Sequence, residues 1–122
     1  MEQYKLFDAE FKFMCILWDE EPLTTRRLTE LCQEKLGWKR TTTYTVLRKL
    51  SDRGILRNEN STVSSIVKRK QVQEYESEVV VEKAFEGSLP KFIAAFLNDK
   101  ILSEDEAEEM KRLIDRHKEG KI

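Results

Sequence analysis

Apolar residues along this chain recur mostly at spacings of three and four, the period of an amphipathic helix, and only briefly alternate. Phe11, Met14, Cys15 and Trp18 fall at i, i+3, i+4 and i+7. They predict a first helix with those four residues on its buried face, Asp8 as its N-cap and Pro22 as its stop. Thr24 then predicts the N-cap of a second helix through "TRRLTELCQEKLG", with Leu28, Leu31, Cys32 and Leu36 as its stripe and Gly37 as its C-terminal glycine.

The next stretch, "RTTTYTVLRKL", carries two conflicting signals. Thr, Tyr and Val favour strands, whereas Thr43, Val46, Leu47 and Leu50 repeat as one face of a helix. Forcing four threonines into a helix costs ~2 kcal/mol in total. Burying Val46, Leu47 and Leu50 returns ~1.5 to 3 kcal/mol apiece. Burial decides for a third helix, running to about Arg53 and stopping at Gly54. Beyond it, "ILRN" and "TVSSIV" predict a small hairpin across the polar turn "ENS".

Three helices and a hairpin predict a winged helix-turn-helix, with the third helix in the recognition position. If Thr43, Val46, Leu47 and Leu50 face the core, the opposite side presents Thr41, Thr42, Tyr44, Thr45, Arg48 and Lys49. Short hydroxyls let a helix backbone approach base edges, and a threonine methyl can touch a thymine methyl. Arg48 suits guanine or phosphate, while Lys39, Lys49 and Arg53 suit phosphates. Arg40, at the start of the helix, completes the expected DNA-binding set.

Three further helices are expected between Lys70 and about Lys118. The first carries Val72, Tyr75, Val79 and Phe85. The second is capped by Ser88 and sets Leu89, Phe92, Ile93, Phe96 and Leu97 on one face, with Pro90 tolerated in its first turn. The third starts at Ser103, with Glu106 as capping-box partner and Leu102 and Ala107 as a hydrophobic staple. Its stripe is Ala107, Met110, Leu113 and Ile114. So small a segment rarely supplies its own core, and a symmetric dimer is the expected solution. The fold class is therefore mainly α with a small β-hairpin wing: residues 1–69 as the DNA-binding domain and residues 70–122 as a helical dimerisation region. Its interface set is Val72, Tyr75, Val79, Phe85, Leu89, Phe92, Ile93, Phe96, Leu97, Met110, Leu113 and Ile114.

Charge sharpens this division. The net charge of −1 hides an asymmetry: residues 1–70 carry 14 Lys and Arg against 10 Asp and Glu, and residues 71–122 carry 8 against 13. Between Lys39 and Arg57 only Asp52 opposes six cations. Local positive charge of this kind suits a polyanion. At 122 residues, with 37% charged and 39% hydrophobic positions, the chain fits helices with solvated faces. It shows no apolar run long enough to cross a bilayer and no leader-like start in "MEQYKLFDAE", so a cytoplasmic protein is expected. Cys15 and Cys32 read as separate reduced thiols, and His117 as a cation near a helix C-terminus. No phosphate loop, nucleophile–histidine pair or metal-ligand cluster is present in the sequence, so neither catalysis nor a cofactor nor a metal is expected.

Five blocks, "DAEFKFMCILW", "PLTTRRLTELC", "GWKRTTTYTVLRKLSDRGIL", "FEGSLPKFIAAF" and "LSEDEAEEMKRLI", resemble in order and spacing the penicillinase and methicillin-resistance repressors and their copper-responsive relatives. The resemblance covers nearly the whole chain. It implies a homodimeric repressor of a β-lactam resistance or related stress operon, binding an inverted-repeat operator on double-stranded DNA through the third helix. In the antibiotic-responsive members a membrane sensor protease detects a β-lactam and triggers cleavage inside the dimerisation region, so the resemblance implies release by disruption of that region. The usual Asn-Phe bond aligns with Ala95-Phe96, which keeps the Phe and not the Asn. The ending "RHKEGKI" lacks the Cys-x-Cys tail of copper-responsive members, and "STVSSIV" lacks the glycine and aromatic residues common in the wing. A winged helix that binds protein instead of DNA is the rival expectation; the basic, polar outer face of the third helix speaks against it.

Overall fold

The computed structural model describes residues 4–120. The expectations of no leader and no Cys-x-Cys tail rest partly on residues 1–3 and 121–122, which lie outside them. The described elements run α1 (Asp8–Glu20), β1 (Leu23–Thr24), α2 (Thr25–Leu36), α3 (Arg40–Asp52), β2 (Leu56–Glu59), β3 (Thr62–Ser65), α4 (Arg69–Phe85), α5 (Leu89–Leu97) and α6 (Glu104–Lys118). The chain divides into two compact units within α4, between Val80 and Val81.

In the first unit, α1 has its cap one residue earlier than its sequence suggests. Phe7, not Asp8, is the N-cap, and the Glu10 carboxylate reaches back to accept from the Phe7 N–H at 2.9 Å. The buried face of α1 is also rotated from the expected one. Phe13, Met14 and Leu17 are fully buried, whereas Phe11, Cys15 and Trp18 lie half-buried at the flank. Almost every position from Phe11 to Trp18 is apolar, so several stripes satisfy the helical period, and only packing selects one. The flanking pair still associates, with the Phe11 and Trp18 rings edge to face at 5.8 Å.

The second helix follows its pattern. The Thr24 hydroxyl accepts from the Arg27 N–H at 3.0 Å, Gly37 closes the helix at φ 69°, and Leu28, Leu31 and Cys32 are buried. The third stretch is a helix despite its threonines, with Thr43, Leu47 and Leu50 inside. Burial has overridden strand propensity.

The wing is a hairpin whose loop is the pair Asn60-Ser61, both at positive φ (52° and 61°). Those angles define the two-residue connection whose twist matches its flanking strands. Hence Glu59 belongs to the strand, paired with Thr62, rather than to the turn. β3 ends at Ser65, short of the expected Val67, because the N–H groups of Ile66 and Val67 both turn to the Ile55 carbonyl at 2.9 Å. A third strand, β1, has no counterpart among the sequence expectations. It pairs Leu23 with Val63 and makes β3 the central strand of the sheet. The core between helices and sheet gathers Phe13, Met14, Leu17, Leu28, Leu50, Ile55, Leu56, Val63 and Val72.

In the second unit, the Ser88 hydroxyl caps α5 through the Lys91 N–H at 3.3 Å, and Ser103 caps α6 through the Glu106 N–H at 3.1 Å. Gly87 sits at φ 78°, and its N–H returns to the Val81 carbonyl at 3.0 Å, ending α4. The Phe85, Phe92 and Phe96 rings form a ladder with centroids 5.5 and 6.2 Å apart. None of the helical residues from Val81 onward is buried.

Candidate nucleic-acid interface

Because Thr43, Leu47 and Leu50 fasten α3 to the core, its geometry turns Arg40, Thr41, Thr42, Tyr44, Thr45, Arg48 and Lys49 outward, and all seven are exposed. From Arg40 to Ser51 the helix carries no acidic side chain. Lys39, exposed at its N-cap, adds a further cation, and no side chain caps this end. The resulting face combines threonine hydroxyls and the Tyr44 phenol with the cations Lys39, Arg40, Arg48 and Lys49, a surface suited to a polyanion.

The outward residues are not equivalent. The Thr45 hydroxyl donates to the Thr41 carbonyl one turn back at 2.9 Å, so its hydrogen is engaged and its methyl is what it can offer outward. The Arg40 guanidinium stands 5.6 Å from the centre of the Tyr44 ring. Arg40 and then Thr25 pull the Tyr44 pKa below the usual phenol value by hydrogen bonding, against the opposing effect of desolvation. Tyr44 and Arg40 thereby join Thr25, Arg26, Thr29, Glu30 and Gln33 in an open groove of about 580 Å³ between α2 and α3. Sequence reasoning missed the α2 side of this groove. Its signal was present in the polar run of Thr25, Arg26 and Thr29, but those residues looked like the ordinary first turns of a capped helix.

Arg53 is placed differently from the expectation. Its guanidinium donates to the buried Glu10 carboxylate at 3.3 Å and to the Lys5 carbonyl, tying the end of α3 to the start of α1. A side chain so engaged is a structural brace first. Nothing in the sequence linked positions 43 residues apart.

Thr43, on the inner face, is almost fully buried, and its hydroxyl has no hydrogen-bond partner. The Cys32 thiol is fully buried as well. Burial pushes that thiol's pKa up, and the Thr43 hydroxyl draws it partly back. A thiol is a weak substitute for an oxygen or nitrogen partner.

The positions expected to dimerise divide into two groups. Val72 is fully buried in the first unit's own core, so it is not part of a free face. Tyr75 packs edge-on against Tyr4 at 6.4 Å, and Val79 lies half-buried nearby on the same helix. In the second unit Phe85, Phe92, Ile93, Leu97 and Met110 are half-buried, while Leu89, Phe96, Leu113 and Ile114 stand 47–60% exposed. Ile101, in the loop before α6 and outside the expected set, is 98% exposed. Ala95 and Phe96, the candidate cleavage pair, lie in the last turn of α5. The Lys100 ammonium donates to the Phe96 carbonyl at 2.7 Å and covers its ring at 4.8 Å.

Among the described residues no cluster of His, Cys, Asp or Glu could hold a metal, and no helix is long and apolar enough to cross a membrane. Comparison with known proteins finds regulatory proteins similar to this chain along nearly its whole length. It is 23% identical over 117 residues to the methicillin resistance regulatory protein MecI of Staphylococcus aureus strain Mu50, covering 93% of this chain and 95% of that protein. It is 22% identical over 117 residues to MecI of Mammaliicoccus sciuri, with the same coverage. It is 22% identical over 121 residues to the penicillinase repressor of Bacillus licheniformis, covering 96% and 94%. The penicillinase repressor family profile matches residues 6–116. With this match spanning both units, the chain belongs to the penicillinase repressor family, whose members are transcriptional repressors rather than enzymes.

Proposed function

We propose that this protein is a homodimeric repressor that reads an inverted-repeat operator with the outer face of α3. The observation that carries this reading is the two-sidedness of that helix. Thr43, Leu47 and Leu50 are inside, while Thr41, Thr42, Tyr44, Thr45, Arg48 and Lys49 are outside on a helix that carries no acidic side chain before Asp52. Arg40, Lys39 and Lys49 serve the phosphates, and Thr41, Thr42, Thr45 and Arg48 approach base edges.

Dimerisation is assigned to α5, α6 and the end of α4. Four large apolar side chains stand half-exposed there, with Ile101 almost bare beside them. Covering each half-exposed side chain returns on the order of 1 kcal/mol. A second copy of the same surface supplies that cover with two-fold symmetry. The two α3 helices then meet DNA about one turn, or a multiple of it, apart. Losing the dimer removes half of a bivalent contact, which lowers operator affinity without touching α3.

Release from DNA follows from disrupting this region. The Ala95–Phe96 bond is a candidate point of attack by a membrane sensor protease. Control of a β-lactam resistance operon is the reading that the relatives' names favour.

Selecting bound sequences from random DNA gives the operator and its symmetry. The double variant Leu113→Asp with Ile114→Asp should sediment as a monomer, keep its affinity for one half-site and bind the full operator at least ~100-fold more weakly. A monomeric variant holding the operator as tightly as the parent would refute the coupling. Failure to select any inverted repeat at low salt would favour the protein-binding alternative.

A further inference from the structure

Arg40 occupies the first position of α3, where the helix dipole disfavours a cation, and among the described residues no carboxylate pairs with it. Glu30 is the one acid lining the groove beside it, and that carboxylate is engaged by its own helix. The Arg27 guanidinium donates to it at 3.2 Å, and Arg26 stands 3.6 Å away. What holds Arg40 instead is Tyr44, one turn on, whose ring centre is 5.6 Å from the guanidinium carbon. That lies inside the ~6 Å range over which an aromatic face attracts a cation. Residues four apart are neighbours on a helix surface, so the pairing needs no distortion of α3.

The ring is steadied in turn from α2. Thr25 and Thr29 line the same groove, and the Thr29 hydroxyl donates to the Thr25 carbonyl at 2.8 Å. Arg40 first, then Thr25 and Thr29, lower the pKa of the phenol by hydrogen bonding. A solitary exposed arginine samples many rotamers, and ordering it on binding costs entropy. A guanidinium already laid against a ring has given up much of that freedom before a ligand arrives. Its planar fork then suits a phosphate bidentately.

We propose that Tyr44 is a positioning residue for Arg40: its ring holds the guanidinium beside the α2–α3 groove as a preformed contact for one operator phosphate. The inference rests on the reading of α3 above and gives Tyr44 a part of its own in it, acting on DNA through Arg40.

A double-mutant cycle tests this, with the full chain titrated over a range of salt on a duplex carrying one selected half-site. A single half-site keeps the spacing of the dimer out of the measurement. Arg40→Ala should weaken binding about tenfold and lower the slope of log affinity against log salt by about one unit. Tyr44→Leu removes no charge, yet it should weaken binding ~5-fold and lower the same slope by about half a unit. In the Arg40→Ala background, Tyr44→Leu should cost less than about twofold, because the group that it positions is gone. Tyr44→Phe keeps the ring and should restore affinity to within about threefold of the parent. Should Tyr44→Leu fail to fold in a thermal melt, Tyr44→Gln takes its place in the cycle. Additive losses, with the Tyr44 substitution costing as much without Arg40 as with it, overturn the proposal by making Tyr44 a DNA contact in its own right. So does a Tyr44→Phe variant as weak as Tyr44→Leu, or a salt slope that Arg40→Ala leaves unchanged. Failure to select any operator sinks the reading of α3 and this inference with it; any of the other adverse results on a selected operator sinks this inference alone.

Discussion

Replacing Thr43 with valine tests the orientation of α3, on which the DNA-binding proposal depends. The side chain is 1% exposed and its hydroxyl has no hydrogen-bond partner, the buried Cys32 thiol being the polar group whose pKa it draws down. An unsatisfied buried hydroxyl costs about 1–3 kcal/mol, of which the thiol recovers a part. Valine and threonine have nearly equal helix propensity, and the new methyl adds ~0.8 kcal/mol of apolar transfer. Thr43→Val should therefore stabilise the protein by ~1 kcal/mol or more. For a unit of this size that raises the thermal midpoint by ~4 to 8 °C per kcal/mol. Urea and thermal melts at fixed protein concentration measure the gain, and titration of a selected operator should show affinity unchanged within twofold. A Thr43→Val variant that is destabilised, or whose operator affinity shifts tenfold, would mean that this hydroxyl faces a polar partner or the DNA, and the assignment of the α3 faces would fall.

Lys49→Ala should lower the slope of log affinity against log salt by about one unit, uniformly across DNA sequences, whereas Thr45→Ala should relax the preference at one base pair with little change in that slope. Arg53→Ala should leave the salt slope intact and instead destabilise the fold by ~1 to 3 kcal/mol in a urea melt, because Glu10 loses its cation while remaining largely buried. Cys32, with its pKa raised chiefly by burial, should resist alkylation in the folded protein and react readily in urea. Since the unfolded thiol ionises first, its contribution to stability is full below the ordinary thiol pKa and is lost as pH rises toward the folded value. A Cys32→Ala variant should show a shallower alkaline decline in its urea midpoint.

Much of this architecture was legible in the chain itself. The caps Thr24, Ser88 and Ser103 and the glycines Gly37 and Gly87 act locally, within one turn, so reading them needs no knowledge of the rest of the molecule. The threonine-rich third helix was legible because a quantitative comparison favoured burial over strand propensity. The outward face of α3 followed from the same period.

Long-range matters were settled only by the tertiary structure. The buried stripe of α1 was degenerate in sequence, since apolar residues surround that helix, and contact with α2 and the sheet chose Phe13, Met14 and Leu17 over Phe11, Cys15 and Trp18. β1 is two residues long and exists only because β3 supplies hydrogen bonds from 38 or more positions away. Arg53 and Arg69 look like any other cations in the chain. What distinguishes them is contact with Glu10, Asp19 and Trp18, which folding brings to them from a distant helix. Val72 likewise belongs by period to an amphipathic helix, but the core claims it. Periodicity reports which face of an element is apolar; what covers that face depends on the whole chain.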